Sequence, residues 1–218
     1  MEYAIIAAGE GSRLASEGVT QPKPLVPLAG QPLIGRLMNI FATNGAEKIH
    51  VIINAFMPAV ESYLHNLQLT IPVNIIKKTT SSSLHSFYEL LSHIEGDTVC
   101  LSTVDTIFQD AEFSHYTNTF LQHPEYDALM AATSFIDDEK PLYIATDADD
   151  NITHYLDQNT QNCKLVSGGI YCLRRSTFAV VQQAIADKVD RMRNLQRLLI
   201  KDDLVVKAYP FSKIMDID

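Results

Sequence analysis

Tryptophan is absent from this chain of 218 residues, and there are only three cysteines. Cys100 and Cys172 sit inside apolar runs and Cys163 in a polar stretch, without C-x-x-C spacing or paired histidines. Neither a zinc site nor a disulfide framework is supported, and buried inert thiols are expected at Cys100 and Cys172. No apolar run approaches the roughly 20 residues that cross a bilayer, so no membrane association is expected. The opening Met1-Glu2-Tyr3-Ala4-Ile5-Ile6 carries an acid and no basic stretch, unlike a secretion leader, which makes the cytoplasm the expected compartment. Positive charge is also in deficit: 17 Lys and Arg face 26 Asp and Glu, for a net charge of −9. Nucleic-acid binding needs a basic stripe that displaces counterions, and this balance argues against it. A small phosphorylated molecule is not excluded, because a few cations in one loop can hold it.

What is present is a regular alternation. Tyr3–Ala8 is a short apolar run of buried-strand type, and Leu33–Asn44 carries apolar residues at helical spacing up to Gly45. Strands are expected at Lys48–Asn54, Val73–Lys77 and Thr98–Ser102, with helices at Pro58–Asn66 and Ser83–Ile94 between them. Such alternation with short connections implies βαβ units and a mainly parallel sheet covered on both faces. In the second half, strands are expected at Asp127–Phe135, Leu142–Thr146, Ile152–Tyr155, Val166–Leu173 and Leu204–Tyr209, with helices near Ser176–Asp187 and Met192–Ile200. No repeat or linker interrupts the pattern, so a single α/β domain over residues 1–218 is the simplest account.

The most informative segment follows the first strand: Ala7-Ala8-Gly9-Glu10-Gly11-Ser12-Arg13-Leu14. Glycines let a backbone approach a ligand closely, and successive N–H groups in such a loop make an anion site. Arg13 adds a planar fork suited to phosphate, and Lys23 is held between Pro22 and Pro24. A dinucleotide-binding loop would need a third glycine where Leu14 stands and an acid about 20 residues on, where Pro27–Gln31 lies. A P-loop would need Gly-Lys-Ser/Thr, which is missing.

The two segments Ala7–Arg13 and Pro22-Lys23-Pro24-Leu25-Val26-Pro27-Leu28 together resemble the signature of the sugar-1-phosphate nucleotidylyltransferases and their relatives. Within that superfamily, which includes the MobA-like NTP transferases, chain length and a Ser-Ser-Leu segment look closer to phosphocholine cytidylyltransferases. The resemblance implies a three-layer α/β/α Rossmann-like domain of the nucleotide-diphospho-sugar transferase type, with a central, mainly parallel mixed sheet. It implies nucleotide binding by Ala8, Gly9, Gly11 and Ser12, with Arg13 and Lys23 acting catalytically on the phosphates. Ser82 and Ser83, in the run Thr79-Thr80-Ser81-Ser82-Ser83-Leu84, match the loop that contacts base and ribose in relatives; helix capping is an equally good reason for hydroxyls there.

Transfer at a triphosphate calls for a divalent metal, and magnesium takes one or two carboxylates plus phosphates and water. By resemblance the ligands are Asp105, past the fourth strand, and Asp216 or Asp218 in Lys213-Ile214-Met215-Asp216-Ile217-Asp218. Relatives continue with a threonine and a helix that do not follow Asp218 here. Ser167-Gly168-Gly169-Ile170-Tyr171 is similar to the loop that opens toward the acceptor, which makes Gly168 and Gly169 substrate candidates; a ligand-free bulge explains the paired glycines as well. The Glu-Lys-Pro-like segment of the sugar-specific members is replaced by Tyr155-Leu156-Asp157-Gln158-Asn159.

The expected activity is magnesium-dependent transfer of a nucleoside monophosphate from a nucleoside triphosphate to a small phosphorylated acceptor, a sugar 1-phosphate or choline phosphate, with release of pyrophosphate. A homo-oligomer is compatible with it. An inactive nucleotide-binding or regulatory homologue and a molybdopterin nucleotidyltransferase are the open alternatives. His50, His65 and His93 read as ordinary surface or helix residues.

Overall fold

The computed structural model describes residues 1–9, 18 and 20–217. It divides into two compact units, Met1–Asp105 and Thr106–Ile217. Among the described residues no helix is long and apolar enough to cross a membrane.

In the first unit the strands are β1 (Glu2–Ala7), β4 (Ile49–Ile53), β5 (Val73–Lys77) and β6 (Thr98–Thr103). A short hairpin of β2 (Pro27–Leu28) and β3 (Gln31–Pro32) precedes the helix α1 (Leu33–Thr43), and α2 (Pro58–Asn66) and α3 (Ser83–Leu91) follow. The sheet order is β6-β1-β4-β5 and every pair is parallel. Buried parallel strands need apolar residues on both faces, and all residues of β1 and β4 are buried.

The chain steps from β1 to β4 to β5 in one direction and then crosses back to β6. Right-handed crossovers place α1 and α2 on one face and α3 on the other, the three-layer arrangement expected from the sequence. Contacts agree. Tyr3 packs its ring on Phe41 of α1 at 4.6 Å, and its hydroxyl donates to the Asn44 carbonyl at 2.9 Å. A side chain at Gly35 of α1 would collide with the Tyr63 hydroxyl of α2. α1 ends at Thr43 with Asn44 as its C-cap, and the chain turns at Gly45 with φ +73, the left-handed geometry its glycine permits.

The second unit contains β7 (Thr106–Ile107), α4 (Asp110–Gln122), β8 (Ala128–Thr133), β9 (Tyr143–Thr146), β10 (Ile152–Leu156), β11 (Leu165–Arg174), α5 (Phe178–Ala186), α6 (Met192–Leu199), β12 (Val206–Phe211) and β13 (Met215–Asp216). Its strands run β10-β9-β11-β8-β12, antiparallel except for the parallel pair β12 and β8. β7 and β13 form a separate antiparallel pair. The helix α4 is not evident in the sequence reading because its buried stripe, Phe113, Tyr116, Thr117 and Phe120, is narrow and half polar. Tyr116 fastens it: the hydroxyl donates to the Leu129 carbonyl at 2.5 Å and accepts the Cys172 N–H at 2.9 Å, which ties α4 to β8 and β11. Cys100 and Cys172 are buried, as expected.

His50 corrects the sequence reading. It belongs to β4 and is 0% exposed. Its Nδ1 faces the Asn74 amide nitrogen at 3.3 Å, so Nδ1 accepts and Nε2 carries the proton, donating to the Glu2 carboxylate at 2.5 Å. The alternation of β1 and β4 puts Glu2 and His50 on the same face of the sheet. Burial pushes the Glu2 carboxyl up, but hydrogen bonds from His50 and from the Gly96 and Glu95 N–H groups outweigh burial and hold it below the usual carboxylate range. Burial pulls His50 down, and the opposing pull of Glu2 does not cancel it.

Both shifts make acid destabilising. Below 6.5 an unfolded histidine takes a proton that native His50 takes only at lower pH, and below 4.5 the same holds for Glu2. The midpoint of thermal unfolding is therefore expected to fall as pH drops from neutrality, in two limbs. His50→Asn should flatten the upper limb; an unchanged pH profile would remove this pair from the stability of the unit.

Candidate functional site

In a parallel sheet all carboxyl ends lie on one edge, and ligands bind in the crevice where strand order reverses. In the first unit the reversal falls at β1. The residues past the strand ends are Ala8 and Gly9 after β1, Asn54 after β4, residues 78–82 after β5 and Asp105 after β6. A cavity of about 430 Å³ opens there, lined by Ala8, Gly9, Asn54 and the hydroxyl-rich residues 79–83 with Ser86 behind them. It brings together four of the residues expected to bind nucleotide: Ala8, Gly9, Ser82 and Ser83. A Cβ built on Gly9 meets nothing within 4 Å among the described residues. Gly11, Ser12 and Arg13 lie outside the described residues.

Lys23 is presented by a 3-10 turn, Lys23–Leu25, entered through Pro22 at φ −54. The Leu25 N–H donates to the Pro22 carbonyl at 2.8 Å and Val26 N–H to the Lys23 carbonyl at 3.1 Å, while Pro24 is buried. Two prolines thus fix the backbone on both sides of the ammonium. Lys23 Nζ lies 2.5 Å from Asp105 Oδ2, with the side chains only 13% and 19% exposed. Two residues expected to serve phosphate and metal therefore meet as one half-buried ion pair. Asp105 is held past the end of β6 by main-chain pairing, the Val104 N–H donating to the Ile6 carbonyl of β1 at 3.1 Å.

Ser82 caps α3. Its hydroxyl accepts from the His85 N–H at 3.4 Å and lies 2.9 Å from His85 Nδ1, while Thr80 and Ser86 share a hydroxyl hydrogen bond of 2.6 Å. Capping accounts for Ser82 as a structural residue and leaves its place on the cavity wall intact. The sequence reading did not single out Asn54, Thr79, Thr80 or Ser86 as site residues. For Asn54 the signal was there: an amide that ends an otherwise apolar strand at its carboxyl edge.

Gly168, Gly169 and Asp216 belong to the second unit. β11 carries a bulge, since its pairing with β8 jumps from Ser167↔Ala132 to Tyr171↔Met130. Gly169 has φ +72, and a side chain on buried Gly168 would run into Ile214. Packing against Ile214 is thus a sufficient reason for glycine at 168. Asp216 is not a frayed end: it pairs with Thr106 in the β13–β7 ladder, and the Thr106 hydroxyl donates to its Oδ1 at 3.0 Å. Asp218 lies outside the described residues. A larger polar cavity of about 850 Å³ in this unit is lined by Asp157, Gln158, Arg193 and Arg197 among others. Asp157 is gripped there by Arg193 at 2.9 Å and Arg197 at 2.8 Å, so the segment that lacks the lysine of sugar-specific relatives is surrounded by arginines that spacing alone did not reveal.

The chain is similar to known proteins in sequence and in fold. The MobA-like NTP transferase domain family matches residues 3–199. A bifunctional protein GlmU from Methanococcus maripaludis is 25% identical over 84% of this chain and 42% of its own length. The CMP-5'-(3-aminopropyl)phosphonate synthase of Streptomyces rubellomurinus is 25% identical over 72% of this chain and 24% of its own. The chain thus spans less than half the length of these two curated relatives. The inositol-1-phosphate CTP transferase of T. maritima shares the fold, with a TM-score of 0.83 at 19% identity over 100% of this chain and 89% of that one.

Ser82→Ala removes the cap of α3 and is expected to lower unfolding stability by about 1 kcal/mol in chemical denaturation. No loss would mean that the Ser82 hydroxyl does not hold the helix.

Proposed function

The chain belongs to the MobA-like NTP transferase family, and on that premise we propose that it transfers a nucleoside monophosphate from a nucleoside triphosphate to a small phosphorylated acceptor. An acceptor phosphate oxygen attacks the α-phosphorus, the bond from that phosphorus to the bridging oxygen breaks, and pyrophosphate leaves. A phosphate nucleophile is anionic near neutrality, so no general base is required. The observation that carries the reading is the Lys23–Asp105 pair, at the same sheet edge as the cavity lined by Ala8 and Gly9.

In this reading Lys23 exchanges Asp105 for triphosphate oxygens when nucleotide arrives, and its ammonium offsets charge that builds up on them. Arg13 is proposed to add a second cation. The fit to magnesium is chemical: Asp105 offers a hard oxygen donor that already faces positive charge. A divalent ion on Asp105 would supply charge neutralisation at the phosphates and help to orient them. Asp216 and Asp218 are the proposed sources of a second carboxylate. Among the described residues no three His, Cys, Asp or Glu form a metal cluster, and magnesium shared with phosphates and water needs none.

The names of the relatives suggest where to look first. A phosphonate synthase that makes a CMP derivative and a CTP-using inositol-1-phosphate enzyme make CTP the first nucleotide to test, with sugar 1-phosphates, choline phosphate and phosphonates as acceptors. The cytoplasm is the proposed compartment.

A thermal-shift screen of the four ribonucleoside triphosphates with magnesium should give one clear responder, because a ligand that binds only the folded state raises its midpoint. Magnesium-dependent exchange of labelled pyrophosphate into that triphosphate, with its acceptor present, should fall at least about a hundredfold in Lys23→Ala and in Asp105→Ala without unfolding. Near-normal exchange in either variant would refute the assigned role.

A further inference from the structure

One buried amide touches three of the segments that surround the cavity of the first unit. Asn54 is 3% exposed and lines that cavity. Its Nδ2 donates to the Ala8 carbonyl after β1 at 3.3 Å. Its Oδ1 accepts the Phe56 N–H at 3.0 Å, in the turn after β4, and the Thr79 hydroxyl at 3.1 Å, in the loop after β5. Ala8 and Thr79 are thereby tied to a common point across 46 and 25 residues of sequence.

Loops past strand ends have few bonds of their own, and a ligand that must order them binds more weakly by the cost of ordering. We propose that Asn54 is a positioning residue that pre-orders these three segments for nucleotide. This rests on the reading of the cavity as the nucleotide site. The side chain suits the task because an amide donates and accepts at once: its N–H group donates to a carbonyl just past β1, and its oxygen takes two donors from the other loops. The turn that it holds also carries Phe56, an aromatic ring 84% exposed. An apolar residue at 54 would leave the Ala8 carbonyl and the Phe56 N–H without these partners. A carboxylate would set oxygen against the Ala8 carbonyl.

The test is a double-variant cycle on the full chain, with titration calorimetry of CTP, UTP, ATP and GTP in magnesium and amide hydrogen exchange without nucleotide. Asn54→Ala should weaken the best triphosphate about tenfold and speed exchange in segments 8–9, 55–57 and 79–82, while the rest of the unit stays protected. Thr79→Val, at an exposed position on the cavity wall, should weaken binding about twofold to threefold in the native background and by less in Asn54→Ala, because part of the effect of Thr79 passes through the amide. Unaltered affinity in Asn54→Ala, or a Thr79→Val effect of the same size with and without Asn54, overturns the proposal and leaves the nucleotide reading standing. If the native chain binds none of the four triphosphates, the nucleotide reading falls and the proposed role of Asn54 with it, whatever the exchange data show.

Discussion

Parallel pairing of β1 with both β4 and β6 is the constraint on which the first unit depends. Parallel strands cannot be joined by tight turns, so each connection must travel the length of the sheet, and the helices α1, α2 and α3 are those connections. All carboxyl ends then share one edge. Reversal of the crossover direction after β5 parts the loops beside β1, and a cleft is left between backbone segments rather than dug into the core. The glycine after β1 and the aspartate after β6 flank that reversal because hydrogen bonding in the sheet leaves them nowhere else to be.

Charge is distributed along the same axis. At the amino edge of this sheet, Glu2 and His50 satisfy one another in a buried pair backed by the Gly96 and Glu95 N–H groups. At the carboxyl edge, Lys23 and Asp105 form a pair that keeps some exposure to solvent. The first arrangement is closed; each carboxylate oxygen of Glu2 and each ring nitrogen of His50 has a protein partner. The second joins two groups that, in the proposed nucleotide complex, would exchange one another for phosphates and a cation. That contrast separates a pair that serves stability from one proposed to serve turnover.

The second unit is built on other principles. Mixed strand directions, a bulge in β11 and the aromatic cluster of Phe108, Phe113, Tyr116 and Phe211 give it a core ordered by ring contacts and by one buried hydroxyl. Gly168 shows how a residue suited to ligand approach also serves packing, since Ile214 fills the space a side chain would need. Asp216, near the end of the chain, is held by a two-residue ladder and the hydroxyl of Thr106.

The strand–helix alternation of the first half was legible in the sequence because apolar runs of strand length and amphipathic runs of helix length have distinct periods. Pro58–Asn66 and Val73–Lys77 carry the expected limits. Gly9, Lys23 and Asp105 could be singled out as candidates as well, because flexibility, rigid presentation of a cation and a strand-end carboxylate are written in local residue types. Local pattern could not give the partnership of residues distant in the chain. It missed α4, whose helical stripe is half polar until Tyr116 finds the carbonyl of Leu129. It read His50 as ordinary because a histidine in an apolar strand becomes a buried ligand of Glu2 only when β1 lies beside β4. It passed over Asn54 because an amide becomes a junction only when three loops converge on it. Sequence determines periodicity and the residues fit for a given chemistry. Only the folded chain decides which of them meet, because hydrogen bonds and ion pairs act over a few ångströms and those distances are set by the packing of the whole.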